Sequence, residues 1–146
     1  MRWIASPCLV AALLVFNGCS EATGPKTMRV WGDVSYDGKS VDDGTITFES
    51  TDGSAPAQVP IKAGHFDLPA ASGPVAEKTY LIRINALAKT GKTVPNTMPH
   101  GGPTMDVMAE TIPDLFNGKS IIKKAISSES DKNQFVFKLM PSGTYE

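Results

Sequence analysis

Apolar and polar residues alternate with a period of two over most of this 146-residue chain from Thr27 onward, and this pattern restricts the fold most strongly. Successive side chains of a β-strand point to opposite faces, so the alternation predicts strands with one buried and one solvated side. Asp-Gly pairs at 37–38, 43–44 and 52–53 punctuate the pattern, because glycine tolerates the positive φ angles of tight turns. The first strand is predicted to place one set of side chains on a single face: Met28, Val30, Val34 and Tyr36.

Further strands are predicted along the rest of the chain. The longest runs from Lys78 to Ala88, where alternation and β-branched residues favour a strand over a helix. Two others span Lys119 to Ser127 and Gln134 to Met140. With the segments 44–48, 57–62 and 65–68 they make about seven short strands, which predicts an all-β antiparallel sandwich. The domain would span residues 28–140, with 141–146 as a C-terminal tail and a core dominated by Ile82, Ile84, Phe135 and Phe137.

The segment from Thr90 to Glu110 is predicted to be a long irregular loop. It is rich in proline and glycine and shows no periodic apolar pattern. A connection of this length is usually functional or mobile. Methionine side chains adapt to irregular apolar surfaces, so the candidate partner-binding residues are Met98, His100, Met105 and Met108. The alternative is that the loop only covers the sheet.

The N-terminus has the order of a bacterial export signal. Arg2 supplies a positive charge, Cys8 to Phe16 is an unbroken apolar run, and the small residue Gly18 directly precedes Cys19. The apolar run is roughly half the length that a transmembrane helix requires. This pattern predicts a lipoprotein signal peptide over residues 1–18 and acylation of Cys19, for example by palmitate.

Residues 19–27 would then form a flexible tether, and the protein would be lipid-anchored in the cell envelope, facing the periplasm or the exterior. Ordinary signal-peptidase cleavage after Ala22 is the alternative. Because Cys8 leaves with the signal and Cys19 carries the lipid, the mature domain would have neither a free thiol nor a disulfide. The formal charge of the whole chain is only −1, and no basic patch for nucleic acid is present in the sequence.

Several motifs follow one another in a specific order: Val30-x-Gly32-x-Val34, Tyr36-Asp37-Gly38-Lys39-x-Val41, Gly44-x-Ile46-x-Phe48, Gly64-x-Phe66-x-Leu68 and Tyr80-Leu81-Ile82-Arg83-Ile84. In this order they resemble carboxypeptidase-regulatory-like, or transthyretin-like, domains. The turn at 112–117, Ser120 and the closing strand at 133–139 are similar to small bacterial lipoproteins built from one such domain, in which tyrosine is usual at the position of Phe116. The resemblance covers residues 28–140 and implies a Greek-key, prealbumin-like sandwich with a non-catalytic role and no catalytic residues to carry over.

Motifs for phosphate and cation binding are incomplete. Gly91-Lys92-Thr93 lacks the upstream glycine of a phosphate-binding loop, because Ala86 occupies that position. The acidic pattern that starts at Asp33 has Gly44 where a calcium loop needs glutamate. His100 among methionines could suit a soft metal, but packing of the methionines against the domain is the simpler interpretation. Ser120 has no evident His–Asp partnership, so we predict no catalytic residue, no metal site and no cofactor.

Trp31 is out of phase with the apolar residues of its strand. It is therefore predicted on the outer surface beside Arg29, where an aromatic ring could stack on a sugar or on another partner. The alternative is that the long loop covers it.

Together these observations predict a non-enzymatic, lipid-anchored binding or assembly module. Its partner would be an envelope protein or a polysaccharide, and not nucleic acid. The alternative is a purely structural envelope protein that self-associates through its sheet edges, with the strands at 119–127 and 134–140 as candidate edges.

Overall fold

The structure, a computed structural model, describes residues 24–146. The predicted signal peptide and Cys19 lie outside the described residues. Within residues 24–146 no helix has the length and hydropathy to span a membrane, and the helical segments are three-residue 3₁₀ turns at Ala70–Ser72, Asp114–Phe116 and Ser130–Lys132.

The described chain is all-β, as predicted, but it contains more strands than the alternation suggested. They are β1 (Val30–Tyr36), β2 (Lys39–Ser40), β3 (Asp43–Ser50), β4 (Ala57–Lys62), β5 (His65–Leu68), β6 (Thr79–Asn85), β7 (Leu87–Pro95), β8 (Thr104–Glu110), β9 (Lys123–Ala125) and β10 (Gln134–Leu139). Eight strands form one curled sheet in the order β10-β1-β5-β4-β3-β6-β9, with β2 beside β1. β7 and β8 pair only with each other.

The sheet is least extensively paired where β4 meets β5, since these strands are in register only at Lys62 and His65. The curl brings the inner faces of the two halves together and gives a sandwich-like core. Side chains with no accessible surface fill it: Val30, Ile46, Phe48, Ile61, Ile82, Ile84, Ile122 and Phe137. Phe137 also stacks obliquely on Phe66, with 6.1 Å between ring centroids. Phe135 is only partly buried and packs against this core, so the prediction that it is one of the buried core residues is wrong.

One strand pair departs from the predicted antiparallel arrangement. β10 runs parallel to β1, in register from Trp31 opposite Gln134 to Tyr36 opposite Leu139. The chain leaves β9 at one edge of the sheet and reaches the other edge with β10 pointing the same way as β1. Gly32 permits this close approach, since a Cβ atom there would overlap the carbonyl oxygen of Phe135 and its φ is +153°.

Two predicted strands are shorter in the structure because side chains, and not a neighbouring strand, form hydrogen bonds with part of their backbone. In the segment 119–127 only β9 forms, since the Ser120 hydroxyl donates to the Ile82 carbonyl at 2.5 Å and accepts from the Ile122 amide at 3.3 Å. The strand predicted to run to Ala88 ends at Asn85. There the amide of Ala86 donates to the carboxylate of Glu110 at 2.6 Å and not to a neighbouring strand.

Both ends of the described chain are paired with the domain. The Lys26 carbonyl accepts from the Ala76 amide at 2.8 Å, and Thr27 bridges to Val75. The predicted tail folds back on β10, where Lys138 and Glu146 exchange backbone hydrogen bonds of 3.2 and 3.1 Å. We call the region around residues 26–27 the entry end of the domain.

Strands β1 and β6 both begin near the entry end and finish at the opposite end. Each has 7 residues, which corresponds to about 20 Å. Tyr36, at the end of β1, lines the same cleft as Leu87, the first residue of β7. The β7–β8 pair therefore leaves the domain at the end farthest from the point where the chain enters.

Candidate functional site

Strands β7 and β8 form a two-stranded ribbon, residues 87–110, that stands away from the main sheet. Each residue of β7 is exposed, and so is each residue of β8 except Val107, which is half-buried. The prediction of an irregular loop over Thr90 to Glu110 is therefore wrong, and so is the alternative that this segment covers the sheet. Neither face of the ribbon is buried, so little apolar alternation is required in β7, and the prolines and glycines from 95 to 103 lie at its end and tip.

The root of the ribbon is fixed by Glu110. One carboxylate oxygen accepts from the amide of Ala86 at 2.6 Å and from the amide of Ile112 at 3.4 Å. The other accepts from the side-chain amide of Asn85 at 3.3 Å, and Thr111 adds two hydrogen bonds to the Ala86 carbonyl. These bonds set the direction in which the ribbon leaves the domain.

A bulge lies in the middle of the ribbon, between Lys89 and Thr93. Across it Lys89 forms an ion pair with Asp106 at 2.6 Å, and the hydrogen bond from Lys89 to this carboxylate raises the pKa of the lysine. Thr90 donates its hydroxyl to the Val107 carbonyl at 2.9 Å. The bulged strand thus stays tied to its partner.

The tip of the ribbon is a loop over residues 96–103 with its own hydrogen bonds. The Asn96 amide donates to the Pro103 carbonyl at 3.0 Å, and the Asn96 side-chain oxygen accepts from the Met98 amide at 2.9 Å. His100 adopts a left-handed backbone conformation with φ of 67°. Its side chain and that of Met98 are both exposed in this loop.

The pairing register gives the ribbon two different faces. Ala88 opposes Ala109 and Val94 opposes Met105, so the cross-strand pairs of one face carry no charge, and Val107 lies between them. We call this the apolar ribbon face: Ala88, Val94, Met105, Val107 and Ala109. The opposite face carries the Lys89–Asp106 ion pair, Met108 and Glu110.

A cleft of about 430 Å³ separates the root of the ribbon from the turn that follows β1. Its walls combine apolar groups with the ends of polar side chains, and among them are Tyr36, Val41, Asp43, Leu87, Met108 and Ile112. The charged face of the ribbon, through Met108, forms one wall. The cleft is therefore continuous with the ribbon surface.

The four predicted partner-binding residues lie on one ribbon but not in one cluster. Met98 and His100 are at the tip, Met105 is on the apolar ribbon face, and Met108 faces the cleft. Sequence reasoning missed Leu87 and Val94, whose side chains are 52% and 43% exposed. The alternation of Met105, Val107 and Ala109 was the available signal for the strand, but it is only three residues long.

In the described part of the chain no three His, Cys, Asp or Glu side chains lie close enough together to hold a metal ion. Ser120 is buried. Its hydroxyl donates to the backbone carbonyl of Ile82 in β6 and accepts from the backbone amide of Ile122, so its role in residues 24–146 is structural.

Compared with protein-family models, with curated proteins and with solved structures, the chain has no match. The geometry of residues 24–146 and the sequence before them are therefore the basis for a functional assignment.

Proposed function

We propose that this protein is a lipid-anchored, non-enzymatic module of the cell envelope that binds a partner protein through its ribbon. The observation that carries the proposal is an exposed β-ribbon with large apolar side chains on both faces and at the tip. Five of the nine large hydrophobic side chains exposed in residues 24–146 belong to it: Leu87, Val94, Met98, Met105 and Met108.

Physical chemistry supports a binding role for such an element. An isolated two-stranded ribbon is only marginally stable in water, because it buries little apolar surface of its own. Docking of the apolar ribbon face on a partner would bury Val94 and Met105, an uncharged cross-strand pair. The flexible thioether of Met105 would adapt to the contour of the partner. The ribbon is thus better suited to a protein surface than to a polyanion.

The position of the ribbon agrees with an anchor at Cys19. The chain enters the domain at residues 26–27 and the ribbon leaves at the opposite end, about one strand length away. A lipid at Cys19 would hold the entry end near the membrane. The ribbon would then point away from the membrane, towards partners in the periplasm or outside the cell.

We extend the proposal to the fold family: a Greek-key, transthyretin-like sandwich related to carboxypeptidase-regulatory-like lipoproteins. The sandwich-like curl and the inward side chains of the motif residues support it. Phe116, where the family usually has tyrosine, is fully buried, and Arg83 braces the adjacent turn. The guanidinium donates to the carbonyls of Asn117 and Gly118 at 2.5 and 2.9 Å, which supplies the bracing that a tyrosine hydroxyl could give.

Self-association through sheet edges is less well supported than ribbon binding. Strands β9 and β10 do lie at the two edges, as that alternative required. However, β9 has only three residues and carries Lys123 and Lys124, and the chain end around Tyr145 pairs with the distal part of β10. Short, charged or covered edges are the usual protection against edge-to-edge pairing.

The anchor is tested by the intact mass of the mature protein and by a Cys19→Ala variant. Acylation predicts an N-terminus at Cys19 with added lipid mass, and the variant should leave the membrane fraction or accumulate as precursor. An N-terminus at Thr23 without lipid mass would exclude the anchor.

The ribbon is tested with the double variant Val94→Ser, Met105→Ser and a matched Thr93→Ala control, which changes an exposed polar residue of the same strand that pairs with Asp106 on the other ribbon face. After crosslinking in cell-envelope preparations, a partner captured by the wild type and by the control should be lost from the double variant. Thermal melts should show the three proteins to be equally stable, because the changed side chains are exposed.

Two results would contradict the proposal. A stable double variant that keeps the same partner would exclude the apolar ribbon face as the binding site. A double variant that melts many degrees below the control would instead show that these side chains stabilise the domain itself.

A further inference from the structure

A second surface, remote from the ribbon, lies on the outer face of β10, β1 and β5. Trp31 is in register with Gln134 on β10 and with Asp67 on β5, and Asp33 is in register with His65. Residues in register on neighbouring strands point to the same side of a sheet. We call this surface the Trp31 face, defined by Trp31, Asp33, His65, Asp67 and Gln134.

These five residues line a shallow depression of about 310 Å³. No residue of the ribbon contributes to its lining, so the idea that the long segment after Thr90 covers Trp31 is wrong for the described chain. Asp33, His65 and Asp67 all keep a large part of their side-chain surface exposed. The depression is therefore open to ligands in the part of the protein that the structure describes.

The indole and the neighbouring carboxylate are held in place before any ligand binds. The guanidinium carbon of Arg29 lies 4.9 Å from the centroid of the Trp31 ring, within the range of a cation–π contact. The same guanidinium donates to both oxygens of Asp67, at 2.7 and 2.5 Å. Such a bidentate pair fixes both side chains, so a ligand loses less free energy to their ordering.

The charges of this surface are paired. Arg29 is matched by Asp67, and the Nδ1 atom of His65 contacts a carboxylate oxygen of Asp33. The hydrogen bonds from Arg29 hold the pKa of Asp67 below its ordinary value, so this carboxylate remains a charged acceptor at neutral pH. With no excess of positive charge, the surface has nothing to attract a polyanion such as a sulfated or phosphorylated polymer.

What remains is an aromatic surface bordered by carboxylate, imidazole and amide groups. A pyranose ring has the complementary chemistry, with an apolar C–H side and a rim of hydroxyl groups that donate and accept hydrogen bonds. We propose that the Trp31 face binds a neutral glycan, with one sugar ring packed against Trp31 and its hydroxyls bonded to Asp67 and Gln134. This site is distinct from the ribbon, and the proposal does not depend on the ribbon's function.

The chain offers a direct reporter for this site. Its two tryptophans are Trp3 and Trp31, so in a Trp3→Phe background the tryptophan emission comes from Trp31 alone. The protein as it is made in the cell, purified in detergent, is titrated with soluble β-linked oligomers of glucose and of N-acetylglucosamine, and with a sulfated glycan as the anionic contrast. At least one neutral oligomer should shift the emission and release heat in calorimetry, whereas the sulfated glycan should not.

Variants assign the binding to the proposed side chains. Trp31→Ala should weaken binding at least about tenfold in calorimetry, because it removes the stacking surface. Asp67→Asn should weaken it about threefold to tenfold. The control Met105→Ser changes the apolar ribbon face and should bind like the wild type. Thermal melts establish that each variant is folded, and Trp31→Phe, which keeps a smaller ring, should bind with intermediate affinity even if Trp31→Ala does not fold.

Three outcomes would overturn the proposal. The first is that no neutral oligomer changes the emission or the heat at millimolar concentration. The second is that only the sulfated glycan binds. The third is that a neutral oligomer binds folded Trp31→Ala or Trp31→Phe as tightly as the wild type, which would place its site elsewhere.

Discussion

Replacement of Asn133 by alanine should strongly destabilise this domain, because its side chain is buried and fully used in hydrogen bonds to the backbone. Asn133 has no accessible surface. Its side-chain oxygen accepts from the Ser127 amide at 2.8 Å, and its side-chain amide donates to the Ser127 carbonyl at 2.9 Å. The residue therefore ties the loop after β9 to the start of β10.

The expected loss follows from these two bonds. Asn133→Ala removes both and leaves the amide and the carbonyl of Ser127, which is half-buried, without those partners. A lost hydrogen bond costs about 1 kcal/mol if water replaces it and up to about 3 kcal/mol if the group stays unsatisfied. We expect the free energy of unfolding to fall by about 2–4 kcal/mol. For a domain of this size the melting temperature should fall by about 8–16 °C.

Urea denaturation of the wild type and of Asn133→Ala measures this loss, with Gln134→Ala as the matched control at the exposed neighbouring position. The slope of the free energy against urea should stay the same in all three proteins. A loss of unfolding free energy below about 1 kcal/mol for Asn133→Ala, or one no larger than that of the control, would refute the conclusion that Asn133 holds the loop after β9 against the start of β10.

Asn133→Asp provides a second test, because it predicts the direction in which the stability changes with pH. Ionised aspartate would be buried and would face the Ser127 carbonyl, so burial raises the pKa of the carboxyl in the folded state above the unfolded value of about 3.9. Protonation then favours the folded state, and the stability of this variant relative to Asn133→Ala should fall as the pH rises from about 3 to 7. Parallel stability curves for the two variants would contradict this reasoning.

Further predictions concern the core, a close backbone approach and an exposed ion pair. Phe137→Ala should cost about 3–5 kcal/mol in urea denaturation and Phe135→Ala clearly less, since only Phe137 is fully buried; equal losses would contradict the burial difference. Gly32→Ala should lower the melting temperature by several degrees, because the new methyl group meets the carbonyl of Phe135, and an unchanged melt would refute that overlap. Hydrogen bonds from Arg29 lower the pKa of Asp67 in the folded state, so this pair stabilises the protein above about pH 4 and the contribution is lost as the pH falls through the lower folded value. In thermal melts from pH 2 to 5, Asp67→Asn should therefore lose less stability on acidification than the wild type, and an equal loss would argue against the pair.

Strands with one buried face could be predicted from the sequence, because burial dictates which residues alternate. Val30 and Val34 in β1 and Ile82 and Ile84 in β6 are examples, and all four are buried as the pattern predicts. The same physics explains why the ribbon was missed. Both faces of β7 are solvated, so the chemistry of residues such as Lys89 is not constrained by a core.

The pairing of strands that are distant in the chain could not be predicted from the sequence either. Nothing local distinguishes a final strand that runs parallel to β1 from one that runs antiparallel, since the same side chains face the core in both cases. The hydrogen bond from Ser120 to the Ile82 carbonyl shortened β9, and it joins residues 38 positions apart. The candidate site could likewise be predicted only in part. Its methionines were identified from the sequence, but their distribution over two ribbon faces depends on a pairing register that only the folded chain defines.

The opposite placement of the entry end and the ribbon has a mechanical consequence. A force applied between these two points acts along β1 and β6, which run from one end of the domain to the other. The backbone hydrogen bonds between the strands from β1 through β5, β4 and β3 to β6 cross this axis, so they carry the load together in shear instead of opening one after another. The domain should therefore resist extension when it is pulled from its entry end and its ribbon at the same time. The proposed anchor and the proposed ribbon partner would load the domain in this direction.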